Sequence, residues 1–205
     1  MMTNFQENLF PNSLPQRNKM ETLLRQRSIV IWFTGLSGAG KTTLGRMLRD
    51  ELLTKGFIVQ ILDGDYLRSG LNKDLGFSVD DRVENIRRAA EVSKLFMESG
   101  IISINCFITP TESIRSMARQ IIGGKNLLEV FVDCPIEICQ QRDIKGLYRK
   151  ALEGQISDFT GVNSPFEIPL HPDIHLQTHL MSPQQCLEIL LNNVLPRITY
   201  NEQKK

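Results

Sequence analysis

The sequence has almost no surplus charge of either sign: across 205 residues, 24 lysines and arginines stand against 23 aspartates and glutamates, a net of +1. A global basic field that would attract nucleic acid is absent, and so is an acidic tail, which leaves a small molecule as the expected partner. No apolar run approaches the roughly 18 to 20 residues that span a bilayer. The amino terminus, MMTNFQENLFPNS, has neither the basic start nor the continuous apolar stretch of a secretory signal. The expected location is the cytoplasm, with no membrane partner. Cysteine is sparse: Cys106, Cys134, Cys139 and Cys186 form no C-x-x-C pair and fall in apolar or separate segments. That suits reduced, buried thiols rather than disulfides or a metal cluster. Histidine is confined to His171, His175 and His179. Four-residue spacing would align metal ligands on a helix, but Pro169 and Pro172 break helix there and DIHLQT has the pattern of a strand. Repeats are absent too, and only the closing NEQKK is low in complexity.

What is present is concentrated in IVIWFTGLSGAGKTT, residues 29 to 43. Six mostly apolar, β-branched-rich residues predict a buried strand, and it runs directly into GLSGAGKT, which satisfies G-x-x-x-x-G-K-[ST]. Gly35, Gly38 and Gly40 let the backbone turn and approach closely, so that amides of residues 36 to 42 point at phosphate oxygens. The nucleotide-binding set is then Gly35, Leu36, Ser37, Gly38, Ala39, Gly40, Lys41, Thr42 and Thr43. Lys41 reaches the β- and γ-phosphates, and the Thr42 hydroxyl meets Mg²⁺ at a helix start whose dipole favours anions. A Gly-rich hairpin is the alternative, but the preceding strand and the following amphipathic pattern TTLGRMLRDELL favour the phosphate loop.

Alternation continues along the chain. A helix over 41 to 55 ends at Lys55-Gly56, and FIVQILD (57 to 63) is a second strand. The polar stretch GDYLRSGLNKDLGFS leads to a helical DDRVENIRRAAEVSKLFMESG, and IISINCFI (101 to 108) is a third strand. TESIRSMARQIIGG is a helix, LLEVFVD (127 to 133) a fourth strand, and Pro135 opens PIEICQQRD. KGLYRKALEG is a short basic helix, FTGVNSPFEIPLHP is irregular, DIHLQT is a fifth strand, and SPQQCLEILLNNVL is a helix with Ser182 as its cap. The fold class is α/β: a P-loop NTPase fold with a parallel sheet of about five strands and helices on both faces. The expected organisation is an N-terminal arm over 1–27 that is mobile and packs over the domain, the kinase domain over 28–198, and a polar tail over 199–205.

Sites in such folds follow the strands. Strand two delivers Asp63 and Asp65, of which one carboxylate suits a metal or an accepting hydroxyl; an Asx turn capping the next segment is the alternative. Arg68, Arg82, Arg87 and Arg88 flank the same edge and suit sulfate or phosphate oxygens, or else are solvated helix charges. The basic QRDIKGLYRKA lies where a mobile lid would bring cations onto transferring phosphates.

These motifs together resemble the adenylylsulfate kinase family. Besides GLSGAGKTT, the likeness rests on LDGDYLRSGLNKDLGFSVDDRVENIRRAAEVSKLF, on VFVDCPIEICQQRDIKGLYRKALEGQISDFTGVNSPFE, and on HPDIHLQT. The resemblance runs from about Ile29 to about Pro196. It implies transfer of the γ-phosphoryl of MgATP to the 3′-hydroxyl of adenosine 5′-phosphosulfate, giving 3′-phosphoadenylylsulfate in sulfate assimilation. The implied cofactors are ATP and Mg²⁺, the latter on Thr42 and Asp63. Asp65, Arg68, Phe77, Arg82, Asn85, Ile108, Thr109, Lys145, Phe159 and Thr160 fall on positions that hold the adenylylsulfate, with Phe77 and Phe159 sandwiching its adenine. Asp63 falls on the carboxylate that assists the hydroxyl or metal, and Lys41 joins it as a catalytic residue. The family also implies a homodimer and allows association with an ATP sulfurylase. Two departures stand out. Thr109 replaces a serine known in the family as a phosphorylated intermediate, so a catalytic, phospho-accepting role for it is weakened. Glu112 stands where several members have an arginine, with Arg115 and Arg119 as substitutes. The alternatives are a P-loop kinase for another nucleotide-linked acceptor and a catalytically weak nucleotide-binding regulatory subunit.

Overall fold

The computed structural model describes residues 16–200. The first fifteen residues of the expected arm and residues 201–205 of the tail lie outside it. Five short strands form one sheet: β1 (Val30–Thr34), β2 (Val59–Asp63), β3 (Ile102–Cys106), β4 (Leu127–Asp133) and β5 (Ile174–Gln177). The order is β2-β3-β1-β4-β5 and every pairing is parallel. Side chains alternate across the sheet, so β1, β2 and β4 feed two separate cores. Ile31 and Phe33 face one layer with Ile104, Cys106, Val130 and Val132; Val30 and Trp32 face the other with Leu62 and Leu127.

The first layer is closed by α2 (Lys41–Thr54) through Leu44, Leu48 and Leu52 and by α8 (Pro183–Ile198) through Leu187, Leu190 and Val194. The second is closed by α4 (Val79–Glu98) through Ile86, Ala89 and Ala90 and by α5 (Glu112–Ile122) through Ile114 and Ala118. These helical spacings leave the opposite faces to solvent. Caps explain the helix starts. Ser78 Oγ accepts the Asp81 amide at the head of α4, and Ser182 and Gln185 form a reciprocal capping box at α8. The second layer is partly polar: Ser103 donates to Asn105, which donates to Ser93, all fully buried. Each of these groups has a partner, the condition under which a buried polar row is tolerated.

The polar stretch after β2 opens with a short helix, α3 (Gly64–Arg68), because the Asp63 carboxylate caps it. Within the expected arm, α1 (Gln16–Leu24) packs at the end of α4, where Met20 meets Gly100. Arg17 donates to Ser28 O and to Asn126. Gln26 is fully buried and saturates Ile58 N, Ile58 O and Gly100 O with its one amide. Among the described residues no helix is long and apolar enough to cross a membrane.

Candidate active site

The strand ends converge at one edge of the sheet. β3 lies between β2 and β1, so Asp63 at the end of β2 and the loop after β1 flank the residues that follow β3. The loop, residues 35 to 40, needs its glycines. Gly35 has φ +148°, and a Cβ there would sit 2.4 Å from Val132 O; Gly40, at φ +109°, is the left-handed N-cap of α2. No side chain caps that helix, which leaves its first amides as anion donors. The loop is braced from outside through its carbonyls. Tyr148 Oη donates to Ser37 O, Arg142 Nη1 to Gly38 O, and Thr178 Oγ1 to Ala39 O. Turning carbonyls outward turns the neighbouring amides inward. Sequence reasoning missed Tyr148, Arg142 and Thr178, since nothing in their spacing marks them as loop braces; only α6 (Ile136–Arg142) and α7 (Leu147–Leu152) packing beside the loop brings two of them there.

Lys41 is buried, and its ammonium donates to Gly35 O at 2.8 Å and Leu36 O at 2.7 Å. Burial pushes its pKa down to about 8. Thr42 Oγ1 donates to Asp63 Oδ2 at 2.7 Å, while Asp63 Oδ1 accepts the Asp65 amide. One Asp63 oxygen thus caps α3, and the other accepts the Thr42 hydroxyl at the start of α2. A hydroxyl and a carboxylate are hard oxygen donors of the kind Mg²⁺ takes, with phosphate oxygens completing its shell. The described residues contain no cluster of three or more His, Cys, Asp or Glu side chains that could hold a metal alone.

The expected acceptor residues gather across this edge. Arg82 links two others of them, donating to Phe77 O and Thr160 Oγ1, and also donates to Asp158 O. The Arg68 guanidinium lies 4.6 Å from the centre of the exposed Phe77 ring, and Phe159 is buried edge-on against Tyr148. Lys145 pairs with Asp65, drawing the basic segment between α6 and α7 over the site. Asn85 is buried and accepts from Asn72. Arg87 and Arg88 separate from this group: they are held in surface ion pairs with Glu84, Glu91 and Asp74. Beside the loop, Leu36, the end of β4 and residues 161–168 line a cleft of about 630 Å³ that contains neither Lys41 nor Asp63.

Thr109, expected among the acceptor residues, is 1% exposed, and its Oγ1 accepts the Trp32 indole N–H at 2.9 Å. Its φ of 47° is left-handed, rare for a β-branched residue and costing about 1–3 kcal/mol. Arg115, expected as a substitute substrate contact, is also buried, with its guanidinium on Thr109 O, Glu167 O and Glu112.

Residues 27–177 match the family model described as Adenylylsulphate kinase. A relative from Bacteroides thetaiotaomicron, named adenylyl-sulfate kinase, is 55% identical over 182 residues, covering 89% of this chain and 90% of its own. The chain belongs to the adenylylsulfate kinase family. Among solved structures, the Mycobacterium tuberculosis APS kinase CysC in complex with AMPPNP and APS superposes with a TM-score of 0.79 at 40% identity, covering 82% of this chain and 98% of that one. The hexameric APS kinase from Thiobacillus denitrificans superposes with a TM-score of 0.65 at 26% identity, over 91% of this chain and 32% of its own. The sheet and P-loop of this family member are thus those of APS kinases.

Proposed function

We infer that this chain is an adenylylsulfate kinase, transferring the γ-phosphoryl of MgATP to the 3′-hydroxyl of adenosine 5′-phosphosulfate. The observation that carries the reading is the 2.7 Å link between Thr42 and Asp63 across the strand edge, in a chain whose family relative was solved with both an ATP analogue and APS. The α2 amides and Lys41 hold the phosphates. Thr42 and Asp63 would hold Mg²⁺, which would offset charge on the phosphate oxygens. Asp63 orients the acceptor hydroxyl and takes its proton as the new P–O bond forms and the bond to the leaving ADP breaks. Arg68, Arg82 and Asn85 receive the phosphosulfate end, Phe77 and Phe159 the adenine, and Lys145 closes the lid cation onto the transferring group. Arg68 must leave the Phe77 face and the lid must open for the acceptor to enter, an opening and closing that these weak, exposed contacts permit. The chain works in the cytoplasm as an oligomer, a homodimer in its simplest form; the absence of a spanning helix in residues 16–200 and the hexameric relative support this.

The test is ADP release from MgATP with adenylylsulfate, with AMP and with 3′-deoxy adenylylsulfate as acceptors, for wild type and Asp63→Asn. Turnover is expected only with the sulfate and the 3′-hydroxyl both present, and Asp63→Asn should lower kcat by about 10²–10⁴-fold. Tight nucleotide binding without turnover on adenylylsulfate would sink the reading.

A further inference from the structure

The turn after β3, Ile108-Thr109-Pro110, sits on the sheet edge between Asp63 and the P-loop, so any hydroxyl that meets both lies over it. It is pinned at every residue. Ile108 O accepts the Gly35 amide and the Thr34 hydroxyl, at 3.3 and 2.6 Å. Thr109 Oγ1 is held by Trp32 and Thr109 O by Arg115, at 2.9 and 3.2 Å. The same Arg115 nitrogen reaches Glu167 O at 2.8 Å, and the Glu167 amide returns to Pro110 O at 2.8 Å. A strained conformation persists only where its surroundings over-determine it, and here they do.

We propose that Trp32 and Arg115 are positioning residues for phosphoryl transfer: by gripping the hydroxyl and carbonyl of Thr109 they hold the floor of the acceptor site in its left-handed shape. Thr109 is then an anchor whose hydroxyl never meets phosphate. Arg115 in addition sets the distance from this floor to the segment that ends the Phe159–Glu167 loop, so the two walls of the acceptor site share one guanidinium. Trp32 stacks on Phe107 with ring centroids 5.2 Å apart, and Phe107 also packs on Gly64, next to Asp63. The inference rests on the acceptor reading above, and wild-type turnover on adenylylsulfate is therefore its first arm.

The decisive variants keep shape and remove one hydrogen bond. Trp32→Phe loses only the indole N–H and its smaller ring; Thr109→Val loses the hydroxyl but keeps the β-branch. Each should raise KM for adenylylsulfate by about five- to tenfold, the loss of one buried hydrogen bond. KM for MgATP should stay within about twofold, and the double variant should be no worse than the poorer single one. Thr109→Ser, which retains the hydroxyl, should keep KM near the wild-type value; Arg115→Met, which keeps an unbranched stem but has no donor for either carbonyl, should raise it. Unchanged constants in Trp32→Phe together with lost kcat in Thr109→Val would assign the hydroxyl to the reaction itself and overturn the proposal. Equal increases for both substrates, or a lower melting temperature with unchanged KM, would reduce these residues to parts of the core and overturn it too. No wild-type turnover on adenylylsulfate would remove the acceptor reading and this inference together.

Discussion

Nucleotide affinity should fall as the pH rises past about 8, through a single group, Lys41. Burial of its ammonium lowers the pKa from 10.5 to about 8, the repulsion of Lys145 adds to this, and the attraction of Asp63 opposes it. A bound polyphosphate restores the ordinary value or exceeds it. The sign follows: above about pH 8 the free protein has lost the proton that the complex keeps, so binding takes up a proton and weakens as pH rises toward 10.5. The thiols of Cys106 and Cys139, pushed up to about 12 by burial, stay protonated across this window. One free-state ionisation near 8 predicts a roughly eightfold loss of affinity between about pH 7.5 and about pH 9, with an upper limit of roughly 300-fold, or about 3 kcal/mol. Calorimetric titration of the wild type with a non-hydrolysable MgATP analogue, in two buffers of different ionisation enthalpy, reads affinity and proton uptake together. In Lys41→Arg the guanidinium does not titrate, so the linkage should vanish even where affinity is lower. A flat affinity over the same range with no proton uptake would refute the reasoning.

Three further outcomes are expected. Gly45→Ala places a Cβ 2.5 Å from Cys106 Sγ inside the first core layer; the overpacking should cost about 1–3 kcal/mol and lower Tm by several degrees, and Cys106→Ala in the same chain should restore much of it. An unchanged Tm for Gly45→Ala would show that the helix α2 can lift away. Lys145→Ala removes an exposed pair with Asp65, so thermal stability should barely move, while kcat falls on the order of tenfold or more through loss of a lid cation; a wild-type kcat would place Lys145 outside the reaction. Gln26→Leu leaves Gly100 O and Ile58 N without their partner, while Ile58 O keeps the Ile102 amide, and should cost on the order of 1–3 kcal/mol in denaturant titration, with nucleotide affinity unaltered; a neutral result would mean water replaces the amide.

Local chemistry made much of this protein legible in one dimension. The phosphate loop is contiguous, its glycines answer to backbone geometry, and its lysine and threonine stand at fixed offsets, so GLSGAGKT needs no partner to be understood. The strands could be placed because buried parallel strands are short β-branched runs between helical periods, and β4 over Leu127–Asp133 has the predicted bounds. Ser182 and Pro183 likewise announced α8. At Asp63 the sequence offered a cap or a carboxylate for the site, but not that one oxygen takes the Asp65 amide and the other the Thr42 hydroxyl. Tertiary structure alone decided the rest, because those contacts join residues far apart in the chain. Trp32 meets Thr109, Arg115 reaches Glu167, and Tyr148 and Thr178 orient the carbonyls of Ser37 and Ala39. No spacing encodes such meetings; they follow from the strand order β2-β3-β1-β4-β5, which sets β3 between the other two strand ends. A threonine that looked available in the sequence is buried for that reason: the turn that carries it sets its hydroxyl oxygen where it accepts the indole N–H of Trp32 on the neighbouring strand.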